Sequence, residues 1–325
     1  MSFVRRARAW GAFIHSSGLT LTMRSGTVRR GLGGVYEVET PEGVIEAGLR
    51  GRIKRDERTG EKVVVGDRVD VDEDRAGEGT VWSIVKVHER TTVLARKAPG
   101  KAPRSKAIVA NVDQVLVVYA AANPDPHLRM LDRFLVIAES SEIAPVIIIN
   151  KTDVSGMDAA RRLFAPYERA GYTVHYTAAR AGVGVNEVRE ALCGRLSALA
   201  GPSGVGKSSL LNAVQPGLGL RVSEVSLAVN KGRHTTVTAQ LIPLECGGWV
   251  ADTPGLREVG LWEIERDQLQ FYFPEFEPLL GSCRYPTCTH THEPGCAVHA
   301  AADAGQIDAG RYDSYQRMFL GEDEE

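Results

Sequence analysis

Eight consecutive residues, Gly201-Pro202-Ser203-Gly204-Val205-Gly206-Lys207-Ser208, have the types and spacing of a phosphate-binding loop. Glycines at both ends let backbone N–H groups turn inward and surround an anion. Lys207 can then reach the β- and γ-phosphates of a nucleotide, and the Ser208 hydroxyl can bind Mg²⁺, with Ser209 continuing the contact. Upstream, Asn150-Lys151-Thr152-Asp153 reads as an NKxD base-recognition motif. The two Asp153 carboxylate oxygens can accept from guanine N1–H and N2–H₂, whereas adenine presents a bare acceptor there. Base recognition ordinarily follows the phosphate loop. Here it precedes it, so the chain reads as a GTPase domain that has been cut and rejoined, that is, circularly permuted.

Three further segments complete the expected site. Asp252-Thr-Pro-Gly255 follows the apolar run Trp249-Val-Ala; Asp252 is expected to hold Mg²⁺ through water, and the Gly255 N–H to meet the γ-phosphate. Thr177-Ala178, after Tyr172–Tyr176, is expected on position to be the remaining base-contacting loop. Lys231-Gly-Arg-His234-Thr235-Thr236 occupies the place of a switch loop, where one threonine closes the Mg²⁺ shell. Thr236 is preferred over Thr235. Leu256 stands where many GTPases carry a polar residue near a water-orienting glutamine, and leucine cannot orient water. His234 is the substitute candidate because a neutral imidazole can accept from water; a phosphate-contacting or solvent-facing histidine fits as well. His234, Thr236 and Lys207 form the expected catalytic set.

Near the carboxyl end, Cys283-x₄-Cys288-x-His290-x₅-Cys296 supplies three thiolates and an imidazole, a closed set suited to one structural Zn²⁺. His292 competes with His290 for the fourth place. The chain has five cysteines. With no convincing signal peptide, disulfides are not expected, and Cys193 and Cys246 read as small core residues.

The elements that must position these groups follow from patterning. Val146–Ile149 is a buried-strand run that delivers Asn150 to a strand's carboxyl edge. Leu196–Ala200 reads as the strand entering the phosphate loop, Lys207–Val214 as the helix leaving it, and Thr238–Cys246 with Gly247-Gly248 as a hairpin. Short strands at Gly26–Arg30, Val35–Thr40, Val44–Ala47, Asp67–Val71 and Thr80–Val87, broken by glycine turns, suit an OB-like β-barrel. An SH3-like barrel is the alternative. The expected fold is thus α/β multidomain. A basic extension (1–24) leads to an RNA-binding barrel (25–94) and a basic linker (95–109). A permuted P-loop GTPase with a mostly parallel sheet (110–265) and an α-rich zinc-binding domain (266–325) follow.

Charge supports a polyanionic partner at the amino end. The 39 basic and 41 acidic residues nearly balance over the chain. The first 36 residues, however, contain six arginines and no acid. Lys86, Arg90, Arg96, Lys97, Lys101, Arg104 and Lys106 add to that surplus, and Pro99, Gly100 and Pro103 read as an extended linker. With few aromatics in the barrel, phosphate contacts to folded RNA fit better than base stacking. Met23 is a plausible alternative start. No apolar run approaches membrane-spanning length, and a cytoplasmic monomer is expected.

In that order, the barrel, the permuted GTPase and the Cys₃His segment resemble the RsgA-type, small-ribosomal-subunit-dependent GTPases of bacteria. The resemblance rests on Ala110-Asn-Val-Asp113, Asn150–Asp153, Gly201–Ser209, Gly232–Thr236, Asp252–Leu256 and Cys283–Ala297. It implies a late 30S maturation factor that binds 16S rRNA and the subunit with GTP and leaves after subunit-stimulated hydrolysis to GDP. Alternatives are a nucleotide-sensing RNA-binding module with vestigial hydrolysis and a permuted GTPase of the large subunit.

Overall fold

The computed structural model describes residues 23–51, 53, 62–74, 81–97, 105–220, 239–252 and 264–322. The amino-terminal barrel consists of β1 (Arg24–Leu32), β2 (Val35–Thr40), β3 (Gly43–Leu49), β4 (Arg68–Asp74) and β5 (Val81–Val87). These strands pair in the order β1-β2-β3-β5-β4 and close through β4 onto β1, with β3 and β5 parallel. This closed five-stranded Greek key is the OB-like barrel expected from the strand spacing. Val28, Val38, Val69, Val71 and Ile84 fill it.

The described ends of the segment expected to be an extended linker, residues 95–97 and 105–109, are strand. β6 (Val93–Lys97) and β7 (Ser105–Ala110) form an antiparallel ribbon. Leu94 and Val109 on this ribbon are buried with Val65 against the GTPase core. Burial of one apolar face accounts for these strands; Pro99, Gly100 and Pro103, which argued for a linker, lie outside the described residues.

The central sheet carries β8 (Gln114–Ala120), β9 (Ala144–Asn150), β10 (Thr173–Tyr176), β11 (Leu196–Ala200), β12 (Gln240–Pro243) and β13 (Trp249–Asp252). Its order is β10-β9-β8-β11-β13-β12, all parallel except β12. Every residue of β8 is buried, and successive side chains alternate between two cores. Val115, Val117 and Tyr119 pack with α1 (Leu128–Ser140) and α2 (Met157–Arg169). Leu116, Val118 and Ala120 pack with α3 (Val185–Leu192) and α4 (Lys207–Val214). This is a doubly wound sheet, with helices on both faces.

Asn111 and Asp113 join the parts. The Asn111 amide donates to Gly66 O at 2.8 Å in the barrel and accepts from Thr91 N–H at 2.9 Å. Asp113 accepts from the Leu196 N–H at 2.7 Å, fixing β8 beside β11. Gly66 adopts a φ of 87°, and a Cβ there would lie 2.0 Å from Ala110 O. β1 also continues the central sheet, with Arg30 paired to Gln240 of β12.

The carboxyl-terminal unit contains two 3₁₀ segments (Leu269–Tyr272 and Pro274–Leu279), the cysteine loop, α5 (Ala297–Asp303) and α6 (Ala309–Leu320). Tyr312, Tyr315 and Met318 face its core with Phe273 and Phe276, so the apolar stripe of the last helix is internal packing. Arg311 on α6 is buried between Asp132 of α1 at 2.8 Å and Glu275 at 2.8 Å, and stands 4.6 Å over the Phe273 ring.

One expectation is overturned outright. Cys193 and Cys246, read as separate core residues in a chain without disulfides, are bonded to each other across a sequence separation of 53. Cys246 is exposed and Cys193 half-buried. Two backbone turns bring them together, and sequence spacing alone carries no sign of that meeting.

Candidate nucleotide site and metal centre

The carboxyl ends of β9 and β11 open into one cavity of about 440 Å³, lined among others by Asn150, Lys151, Asp153, Ser203, Lys207 and Ser208. The permuted order therefore still brings base recognition and the phosphate loop to one crevice, where doubly wound sheets bind ligands. Gly201, Gly204 and Gly206 all take positive φ. At Gly201 a Cβ would lie 2.1 Å from Val118 O, and at Gly206 2.4 Å from the Asn150 amide nitrogen, so no side chain fits at either. The Lys207 ammonium is folded back on its own loop, donating to Gly201 O at 2.7 Å and Pro202 O at 2.5 Å. Ser208 is buried in the first turn of α4, at the end where backbone N–H groups favour an anion.

Asn150 does not face solvent. Its amide donates to Val205 O at 3.0 Å and accepts from Thr177 Oγ1 and the Ala179 N–H, both at 3.1 Å. It thus stitches the phosphate loop to the Thr177-Ala178 loop. Thr152 adds a second stitch, its hydroxyl donating to Thr177 O at 3.0 Å. Lys151 lies at a φ of 61° and its ammonium spans Gly204 O, at 2.7 Å, and Asn123 O. Asp153 is exposed in the cavity with its carboxylate available to a base. Asn123 and Arg180 also line the cavity and were not anticipated. An Asn-Pro turn after β8 and an arginine after an Ala pair carry no distinctive pattern.

Asp252 ends β13, whose parallel pairing of Ala251 with Ala198 brings it level with the end of β11. His234, Thr236 and Gly255 lie outside the described residues.

The second cluster lies in the carboxyl-terminal unit. Donor atoms of Cys283, Cys288, His290 and Cys296 all fall within 4.8 Å of one another. His290 Nδ1 is 3.5 Å from Cys283 Sγ and 3.4 Å from Cys296 Sγ, and the two sulfurs are 3.9 Å apart. Tetrahedral Zn²⁺ with ordinary bond lengths needs edges of about 3.5 Å (N–S) and about 3.8 Å (S–S), so the Cys283, His290 and Cys296 donors match that ion, with Cys288 Sγ within 4.8 Å of each. His290 takes a φ of 58°, which turns its ring inward, whereas His292 is exposed and contacts Thr291 Oγ1. The opposite ring nitrogen, Nε2, meets Gln270 Oε1 at 2.9 Å, so the N–H belongs there and Nδ1 keeps its lone pair. Burial holds His290 below the usual histidine range, against the opposing pull of Glu293, which keeps the ring neutral as a ligand requires.

Burial also pushes the Cys288 thiol up to about 12; the His290 backbone N–H opposes this, and the Cys296 and Cys283 thiols add to it. A cation among the sulfurs reverses that balance and favours thiolates. Glu293 orders the loop between ligands, accepting from Thr289 N–H at 2.9 Å and Thr289 Oγ1 at 2.6 Å. Burial alone would raise its carboxyl, but these hydrogen bonds and further backbone N–H groups hold it down at about 2.

A doubly wound sheet, a phosphate loop and base recognition upstream of it define a circularly permuted P-loop GTPase. Residues 87–262 match the family model described as RsgA GTPase, and residues 25–81 the model described as RsgA N-terminal domain. The chain belongs to the RsgA GTPase family and is a GTP hydrolase. The "Small ribosomal subunit biogenesis GTPase RsgA" of Gemmatimonas aurantiaca is 53% identical over 298 residues, spanning 91% of this chain and 97% of that protein. Its namesake in Moorella thermoacetica is 46% identical over 297 residues, with 91% and 96% covered. Among solved structures, YjeQ from Thermotoga maritima superposes with a TM-score of 0.76 at 36% identity, covering 92% of this chain and 98% of its own. YloQ, described as a circularly permuted GTPase, gives 0.71 at 30% identity, with 92% and 94% covered.

Proposed function

We propose that this GTPase acts in late maturation of the 30S ribosomal subunit, binding it with GTP and leaving after subunit-stimulated hydrolysis to GDP and phosphate. The observation that carries the reading is the joint match of barrel and permuted GTPase to relatives named for small-subunit biogenesis. Within the site, Asp153 selects guanine and Lys151 holds the base loop against the phosphate loop. Asn150, Thr152 and Thr177 fix that junction. Lys207 exchanges two carbonyl partners for the β- and γ-phosphates, so nucleotide entry replaces one set of hydrogen bonds by charge-assisted ones. Ser208, Thr236 and Asp252 would hold Mg²⁺, which supplies charge neutralisation on the phosphates. Thr236, His234 and Gly255 are assigned to the γ-phosphate end of the site by their motifs alone, with His234 the candidate for orienting water because Leu256 cannot do so.

The barrel is assigned the 16S rRNA contact. Arg24, Arg29, Arg30 and Arg50 pair with Glu42, Glu39, Glu37 and Asp72 on its surface. Such partly exposed pairs hold together weakly, so a phosphate can displace the carboxylates. Zn²⁺ held by Cys283, Cys288, His290 and Cys296 would fold the carboxyl-terminal unit rather than catalyse, because four protein donors leave no open position. The protein is assigned to the cytoplasm as a monomer; among the described residues no helix is long and apolar enough to cross a membrane.

The test is steady-state GTP hydrolysis by the purified protein alone, with 30S subunits, and with 50S subunits. Stimulation by 30S only is expected. Equal, negligible rates in all three would overturn the reading in favour of an RNA-binding module that senses nucleotide without turning it over.

A further inference from the structure

We propose that Cys193 and Cys246 form a reversible thiol–disulfide clasp, oxidised by a small disulfide such as glutathione disulfide, on the sheet edge opposite the nucleotide cavity. Cys193 ends α3 just before β11, and Cys246 lies in the turn between β12 and β13. Both therefore sit at the amino ends of parallel strands whose carboxyl ends carry the phosphate loop and Asp252.

The two turns are held together by their backbones, independently of sulfur. Gly194 N–H donates to Gly247 O at 2.9 Å, and Trp249 N–H donates to Arg195 O at 2.8 Å. Gly248, at a φ of 89°, lies so close that a Cβ would be 2.6 Å from both Arg195 N and O. These contacts set the cysteine Cα atoms 5.4 Å apart, inside the range a disulfide needs. With the thiols already adjacent, closing the bond costs little chain entropy in the folded state, so oxidation is favoured. Cys246 is exposed and open to attack, while the half-buried Cys193 is placed to resolve it.

The chemistry balances. The Cys246 thiolate attacks one sulfur of the oxidant disulfide, forming a mixed disulfide and expelling one thiolate. The Cys193 thiolate then attacks Cys246 sulfur and expels the second. The protein loses two electrons, the oxidant becomes two thiols, and the two protein protons pass to the departing thiolates through solvent. The remaining three cysteines are grouped as metal ligands and separate from this pair. The reversibility of the clasp rests on the cytoplasmic assignment proposed above, since in a reducing compartment a disulfide is characteristically transient and either catalytic or redox-sensing. The closed ring contains β11, the phosphate loop, α4 and β12, so oxidation ties the phosphate-binding half of the site into one covalent loop. That cross-link restricts the unfolded chain and raises thermal stability.

The experiment equilibrates the zinc-loaded full chain across glutathione redox buffers, quenches in acid, and alkylates in denaturant with chelator. Alkylatable cysteines should fall from five to three as the buffer becomes oxidising, with the loss mapped to Cys193 and Cys246, and recover on returning to reducing buffer. Cys246→Ser should hold four at every ratio, whereas Cys193→Ser should trap the unresolved mixed disulfide, seen as one glutathione adduct on Cys246 in oxidising buffer. The oxidised wild type should melt at a higher temperature than the reduced, with no such difference in Cys246→Ser. Five alkylatable cysteines throughout, protection mapped to Cys283, Cys288 or Cys296, three persisting in the most reducing buffer, or equal melting temperatures would each overturn the clasp.

Discussion

At the scale of single residues, the metal centre shows how a neutral side chain can govern charged ones. Gln270 touches no thiolate, yet its oxygen fixes which nitrogen of His290 carries the proton. Gln270→Ala should weaken Zn²⁺ binding by about 10- to 100-fold, read by competition with a chromophoric chelator. Gln270→Glu keeps an acceptor and should restore most of it. The ligands were legible because three cysteines and histidines in so short a span are chemically rare. Gln270 was not, since an amide twenty residues upstream of His290 carries no pattern of its own. The choice between His290 and His292 was equally hidden: it turns on a left-handed backbone at His290, which no spacing rule encodes. Asn150 offers a further lesson: this motif residue lines the cavity, and its amide also stitches the phosphate loop to the Thr177-Ala178 loop, which its type alone does not reveal.

At the scale of elements, what could be read depended on whether one face is buried. The barrel strands alternate and were visible with ends off by a few residues. Leu196–Ala200 forms a strand despite its Ala content because β8 and β13 pair with it on both sides and its side chains are buried in the two cores. The β6–β7 ribbon was obscured by Pro99, Gly100 and Pro103, although Leu94 and Val109 carry its buried face. A titration should report on the β4–β5 side of the barrel. Burial alone would raise the Asp70 carboxyl, but hydrogen bonds from His88, at 2.9 Å, and Ser25, at 2.7 Å, leave it below its ordinary 3.8. A carboxyl lowered by folding contributes stability above its unfolded value and loses it as pH falls through the folded one. Barrel stability should therefore drop below about pH 4, and Asp70→Asn should flatten that drop, measured by denaturant unfolding across pH.

At the scale of the molecule, Arg311 welds the carboxyl-terminal unit to the GTPase. Burial of its guanidinium is outweighed by Asp132 and Glu275, so the group stays charged. Arg311→Met removes the cation but leaves two carboxyl groups buried without it, and should cost about 3–5 kcal/mol in chemical denaturation. Adding Asp132→Asn and Glu275→Gln to that variant should recover part of the loss. Restoring full stability with Arg311→Met alone would mean that the network carries no such weight. The permuted order has a further consequence, in the sequence of synthesis rather than in the finished fold. Within the central sheet translation delivers β8 and β9 first, so the segment proposed to choose guanine emerges while β8 still lacks its neighbour on one side. That edge is closed only when β11 follows, and the phosphate cradle is made in the same stretch of chain. A nascent polypeptide can thus shape the base-binding wall early, but it can hold a triphosphate only after Gly201–Ser208 has left the machinery that made it.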